Sequence, residues 1–213
     1  MIQTLIANPI AGLRMMLFML PGLILGMGLH EWAHAYAAVR MGDDTPKKMG
    51  RLTLNPIKHI DWTGFALFLI LGFGWAKPVP TNALYYDNRR KGRIVVSVAG
   101  VAANLALCVI FGLLYRLAAH VPGSAGAVLC DVAYYALDVN AMLAVLNLLP
   151  IAPLDGSKLF AALFPNALGV LTQLDRYGMA LLLILSITGI LGTVLRFATY
   201  WIVFAALLIW SFV

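Results

Sequence analysis

Within the apolar run 15–40 the sequence places His30, Glu31 and His34, and Glu31 is the only glutamate among 213 residues. A charged side chain in the middle of a membrane-spanning helix costs about 2.5–3.5 kcal/mol on insertion scales, and ionisable groups there default to function. Three of them within five residues therefore mark a working site. Length makes the run a span, because about 20 apolar residues cross a ~30 Å hydrocarbon core. Composition agrees: 62% of residues are apolar, 11% are charged and the mean hydropathy is +0.89. A soluble domain carries about half apolar and a quarter charged residues.

Residues 94–118, 132–149 and 178–195 predict further spans, and 198–213 a short last one. Two apolar segments fall short. Residues 62–76 are interrupted by Gly64, Gly72 and Gly74, and 159–171 are broken by Pro165 and Asn166. As a helix the first would reach only ~22 Å. Lys and Arg gather on cytoplasmic loops, and both flanks of 62–76 are basic. Arg40, Lys47, Lys48, Arg51 and Lys58 precede it; Lys77, Arg89, Arg90, Lys91 and Arg93 follow. The segment is thus predicted to enter the membrane and return, as a re-entrant element near 62–80. Such backbone is tolerated at depth only where it is buried in protein or lines a wet cavity.

The expected fold is an all-α polytopic membrane protein with five to six transmembrane helices. One domain is expected over 1–213, with a motif core at 26–160 and a C-terminal helical hairpin at 176–213. This topology puts Lys158, Arg176 and the ten flanking cations on the cytoplasmic side, together with the C-terminus. Arg14, Arg116 and Arg196 are left opposite. The first 20 residues lack a basic region followed by a small-residue cleavage site, so they are expected to remain as an anchor. No basic surface interleaved with aromatics points to nucleic acid. Cys108 and Cys130, without a CxxC pattern, read as small apolar residues.

On a helix, positions i and i+4 share a face, so His30 and His34 can address one ion. HExxH on a helix is a zinc-binding pattern whose glutamate acts as general base. A catalytic zinc needs three protein ligands and an open position. His59 sits in a basic loop and reads as a solvated residue; His120 falls at the far membrane face. Asp155, in "NLLPIAPLDGSKL" at 147–159, follows the inner end of a span. It shares a membrane side with the histidines only if 62–76 is re-entrant. Loop charge and metal geometry therefore require the same fold.

These motifs resemble the site-2 protease family of intramembrane zinc metalloproteases, in its minimal branch without PDZ or CBS domain. "HEWAH" is one half of that family's signature and "NLLPIAPLDG" the other. "GRLTLNPIKHID" at 50–61, "GWAKPVP" at 74–80 and "AGVAAN" at 99–104 are similar to family segments between them. The resemblance covers roughly residues 26–160. It departs from the family at Val101, where a proline is usual, and at Ser157, where a second glycine is usual.

The resemblance implies one Zn2+ per chain held by His30, His34 and Asp155, with Glu31 as catalytic base. It makes Asn147 a helper that contacts substrate backbone or the developing oxyanion. Asn104, inside a span, is expected either to bond exposed backbone of the substrate or of the re-entrant segment, or to pack helices. The implied activity is hydrolysis of peptide bonds within transmembrane segments of membrane-protein substrates, in a cell membrane, with the site towards the cytoplasm. The expected partners are those segments and the lipid bilayer; oligomeric state is open. The alternative is a membrane zinc transporter or zinc-binding protein without proteolytic activity.

Overall fold

The computed structural model describes residues 7–71 and 74–213, with side chains throughout except at 70–71 and 167–174. Gly72, one of the expected interruptions, lies outside the described residues. The described helices are α1 (Pro9–Arg40), α2 (Thr45–Lys48), α3 (Trp62–Leu71), α4 (Arg89–Ala118), α5 (Gly123–Leu148), α6 (Asp155–Leu163), α7 (Leu168–Ile187) and α8 (Ile190–Ile209). Short 3₁₀ turns occur at Pro56–His59, Ala83–Tyr85 and Pro165–Ala167. No strand occurs among the described residues. Of these helices α1, α4, α5 and α8 are long and apolar enough to cross a membrane.

Local chemistry sets the helix starts. Asn8 accepts the N–H of Ala11 and Pro9 occupies the first turn of α1, where a missing N–H is harmless. Asn88 caps α4 by accepting from Lys91. Asp61 caps α3 by accepting from Thr63 and Gly64, both at 3.0 Å.

Helices α1, α4 and α5 pack mutually, and α8 covers α4 and α5. Small residues let the backbones meet: a Cβ at Gly22 of α1 would collide with the Ala136 backbone of α5. The surface is unlike that of a soluble protein. His30, Glu31, His34, Ser97, Asn104, Asn140 and Thr199 are buried, while Leu13, Leu17, Ile110, Leu114, Ile184 and Phe197 are exposed. Large exposed apolar faces over a core that also buries ionisable and amide side chains belong in lipid, and the chain is a membrane protein.

The segment after α2 returns to where it began. Lys77 donates its N–H to the carbonyl of His59 at 2.9 Å, and Arg51 Nη2 donates to the Lys77 carbonyl. Helix α3 has only 10 residues, about 15 Å at 1.5 Å per residue, and the described residues 74–80 form neither helix nor strand. The return lies directly on the helix: a Cβ at Gly64 would strike the Trp75 carbonyl. Asp43 then ties down the next stretch, accepting the N–H of Asn82 at 2.6 Å and of Thr45 at 2.9 Å.

The C-terminal hairpin differs from expectation. Its break falls at Gly189, not near residues 196–197. Gly189 takes φ +76°, a left-handed conformation that disfavours side chains, and ends α7 at Ile187. Arg196 lies inside α8, its guanidinium 3.4 Å from the Thr193 hydroxyl of the preceding turn. The charge of Arg196 marked no turn because the local backbone decides where a helix stops. The interruption expected at Pro165–Asn166 is present, between α6 and α7.

Candidate metal centre

Helix α1 lays His30 and His34 one turn apart, with ring centroids 4.6 Å from each other. Their Nε2 atoms approach to 3.0 Å. Asp155, the first residue of α6, brings Oδ2 to 3.1 Å from His30 Nε2 and 2.7 Å from His34 Nε2. All three side chains are buried. Among the described residues no other group of three His, Cys, Asp or Glu side chains is placed to hold a metal ion.

The far side of each ring fixes what the near side offers. His34 Nδ1 is 2.7 Å from the carbonyl of Val96, which can only accept, so Nδ1 carries the proton and Nε2 a lone pair. His30 Nδ1 is 2.7 Å from Asn104 Oδ1, with the same consequence. Two lone pairs and a carboxylate oxygen converge within 3.1 Å and would repel unless a cation lay among them. Tetrahedral zinc with bonds of about 2.0–2.1 Å separates its ligands by roughly 3.3 Å, close to this triangle. The donor set, nitrogen and oxygen with no thiolate, suits zinc.

Two further residues shape the triangle. Lys158 Nζ donates to Asp155 Oδ1 at 2.9 Å, which leaves Oδ2 as the oxygen turned to the imidazoles. Gly100 of α4 lies flat against the rings: a Cβ there would sit 2.5 Å from His34 Nε2 and from His30 Cε1.

Glu31 follows His30 on α1 and faces the same cavity, of about 560 Å³, that the three candidate ligands line. Its Oε2 accepts the backbone N–H of Val79 at 2.7 Å. The cavity walls are largely apolar, with Met27, Phe68, Trp75 and Met179, and Arg93 and Lys158 also line it.

Asn147 lines this cavity too, and its amide donates to the Leu143 carbonyl one turn earlier. Asn104 packs helices together, one of the two roles expected for it. It is fully buried between helices; Oδ1 meets His30, and Nδ2 donates to the Gly26 carbonyl and to Asn140 Oδ1. His59 is a further correction. It is fully buried, not solvated; Nε2–H donates to the Thr53 carbonyl at 2.9 Å, and the Arg51 guanidinium lies 3.5 Å from Nδ1. The return of the chain at Lys77, whose N–H meets the His59 carbonyl, closes over it. His120 is exposed and far from the centre, at the end of α4, as expected. Cys108 and Cys130 are both free.

Gly100, Asn140, Val79 and the Lys158 contact were not singled out from sequence. "AGVAAN" was visible as a segment, but neither a glycine pressed on imidazoles nor a backbone N–H carries a residue-type signal.

Comparison with known proteins places the chain in a family. A Bacillus subtilis (strain 168) protein named "Putative zinc metalloprotease YwhC" is 40% identical over 181 residues, covering 83% of each chain. "Putative zinc metalloprotease Rip2" of Mycolicibacterium smegmatis is 31% identical over 206 residues, 91% of this chain and 76% of its own. The Mycobacterium tuberculosis (strain H37Rv) protein of the same name is 31% identical over 207 residues, 92% of this chain and 76% of its own. No family profile matches the sequence, and no solved structure does. The chain belongs to a family of zinc metalloproteases. With its lipid-facing helices it is a membrane metalloprotease.

Proposed function

We propose that this protein is an intramembrane endopeptidase of the site-2 type, which cuts peptide bonds within transmembrane segments of other membrane proteins. The observation that carries the reading is the convergence of His30 Nε2, His34 Nε2 and Asp155 Oδ2 beside Glu31, in a cavity lined in part by three membrane-length helices, α1, α4 and α5. His30, His34 and Asp155 would hold one zinc ion per chain. When bound, zinc supplies a Lewis acid that polarises a carbonyl and acidifies water.

The chain's own groups do the rest. Glu31 takes the proton of the attacking water and returns it to the leaving nitrogen. The Val79 N–H holds one Glu31 oxygen, so the other is turned to its task. Asn147, on the cavity wall, can direct its remaining N–H at the developing oxyanion, a donor worth about 3–4 kcal/mol. The substrate must reach this site as extended chain, because a helix hides its backbone groups.

The returning loop 59–77, flanked by cations, supports a dip from the cytoplasmic face. We place the protein as one domain spanning a cell membrane several times, with the centre and the C-terminus towards the cytoplasm. A zinc carrier would need donors stepped through the membrane. Among the described residues the candidate ligands form one cluster at one level.

Glu31→Gln tests the reading. The purified variant should keep zinc and lose cleavage of transmembrane peptides. Chelation of the parent should abolish cleavage, and added zinc should restore it. Equal cleavage by Glu31→Gln removes the assignment.

A further inference from the structure

Resting on that reading of the metal centre, we propose that Asn140 and Asn104 are positioning residues. They form a two-amide relay that takes its direction from backbone carbonyls and imposes on His30 the tautomer that leaves Nε2 free for zinc.

The direction of the relay follows from what each neighbour can do. Asn140 lies with one amide end 3.1 Å from the Gly22 carbonyl and 2.8 Å from the Ala136 carbonyl. Both neighbours only accept, so that end is Nδ2 and the other is Oδ1. Oδ1 of Asn140 lies 3.0 Å from Asn104, which must therefore donate through Nδ2. The Gly26 carbonyl, 3.3 Å from the same nitrogen, requires this orientation independently. Asn104 then has only Oδ1 left for His30 Nδ1, at 2.7 Å. An acceptor there demands Nδ1–H, and the lone pair falls on Nε2, beside Asp155 and His34.

Every hydrogen of both amides is used, and both residues are fully buried. Neither has a group free for substrate. The arrangement also explains why His30 needs side chains where His34 needs none. His34 reaches the Val96 carbonyl directly. His30 faces α4 and α5 in mid-helix, and the relay carries the accepting power of carbonyls at Gly22, Ala136 and Gly26 to its ring. Gly26 makes room: a Cβ there would lie 2.5 Å from Asn140 Oδ1. Partners behind a metal-binding histidine fix ring and tautomer, and their loss typically costs 10–100-fold in metal affinity.

The test is zinc affinity of the full-length protein in detergent, measured by competition with a fluorescent chelator. Asn104→Leu and Asn140→Leu should each bind about 10–100-fold more weakly. The double variant should lose little more than Asn104→Leu alone, since both act through one path. Asn104→Asp, which keeps an acceptor for Nδ1, should bind more tightly than Asn104→Leu. Full affinity in both leucine variants, or additive losses in the double variant, would overturn the relay. His30→Ala separates this from the underlying reading. If it keeps zinc, the metal centre itself is misassigned; if it loses zinc while the leucine variants do not, only the relay fails. Should the variants not fold, 15N spectra of the unaltered metal-free protein decide. Recorded at a pH where the ring is neutral, a proton on His30 Nδ1 supports the relay, and one on Nε2 with Nδ1 bare removes it.

Discussion

Val79 donates its backbone N–H to Glu31 Oε2 at 2.7 Å, which joins the return 74–80 to the single glutamate of the chain. The contact depends on the backbone alone. Its donor is therefore untouched by most side-chain changes and removed by one.

Val79→Pro deletes that N–H between two prolines, Pro78 and Pro80, that already favour extended backbone. Hydrogen bonds to charged groups are worth about 1.5–3 kcal/mol, so cleavage should slow at least about tenfold. Zinc content should not change, and Val79→Ala should behave like the parent. An undiminished rate in the proline variant would show that the contact does not serve Glu31.

Gly100→Ala places a methyl group 2.5 Å from His34 Nε2. The helix tolerates alanine, so α4 should persist while the rings are forced apart. Elemental analysis after gel filtration should find zinc lost, with helical circular dichroism retained. Normal zinc content would mean that the rings can yield without losing the ion.

The meeting of Lys77 with His59 predicts the sidedness of the loop between them. A cysteine at Leu69 should resist a membrane-impermeant thiol reagent applied from the outer face. Cysteines at Asp61 and Lys77 should both react from the cytoplasmic face. Labelling at position 69 from outside would mean that the segment crosses.

Burial lowers the His59 imidazole from its ordinary value of 6.5, and the nearby Arg51 charge adds to this. The unfolded chain therefore takes up a proton at higher pH than the folded one. Stability is fully present above about pH 6.5 and falls as pH drops towards the lowered value. Thermal unfolding in detergent between pH 5 and 8 should reveal this slope, and His59→Gln should flatten it. A parent profile that is level across that range would contradict the assignment.

Much of the site was legible from the chain. His30, Glu31 and His34 announce themselves because ionisable groups within an apolar run have no cheap structural reason to be there. Asp155 was found by topology, since basic flanks forced 62–76 to turn back. His59 was misread because a basic loop looks solvated until another segment closes over it. For Asn104 helix packing and a backbone-bonding role both stayed open, because an amide in a span states a need for hydrogen bonds without naming its partners.

Sequence alone pointed to an all-helical membrane protein, the loop that turns back and the residues of the candidate metal centre. Apolar length, charge asymmetry and i,i+4 spacing are local properties of a chain. Only the tertiary structure decided the backing of each imidazole: Val96 carbonyl behind His34, Asn104 and Asn140 behind His30, Gly100 against both. Hydrogen-bond direction and close contact arise between helices distant in sequence, and they exist only once those helices are packed.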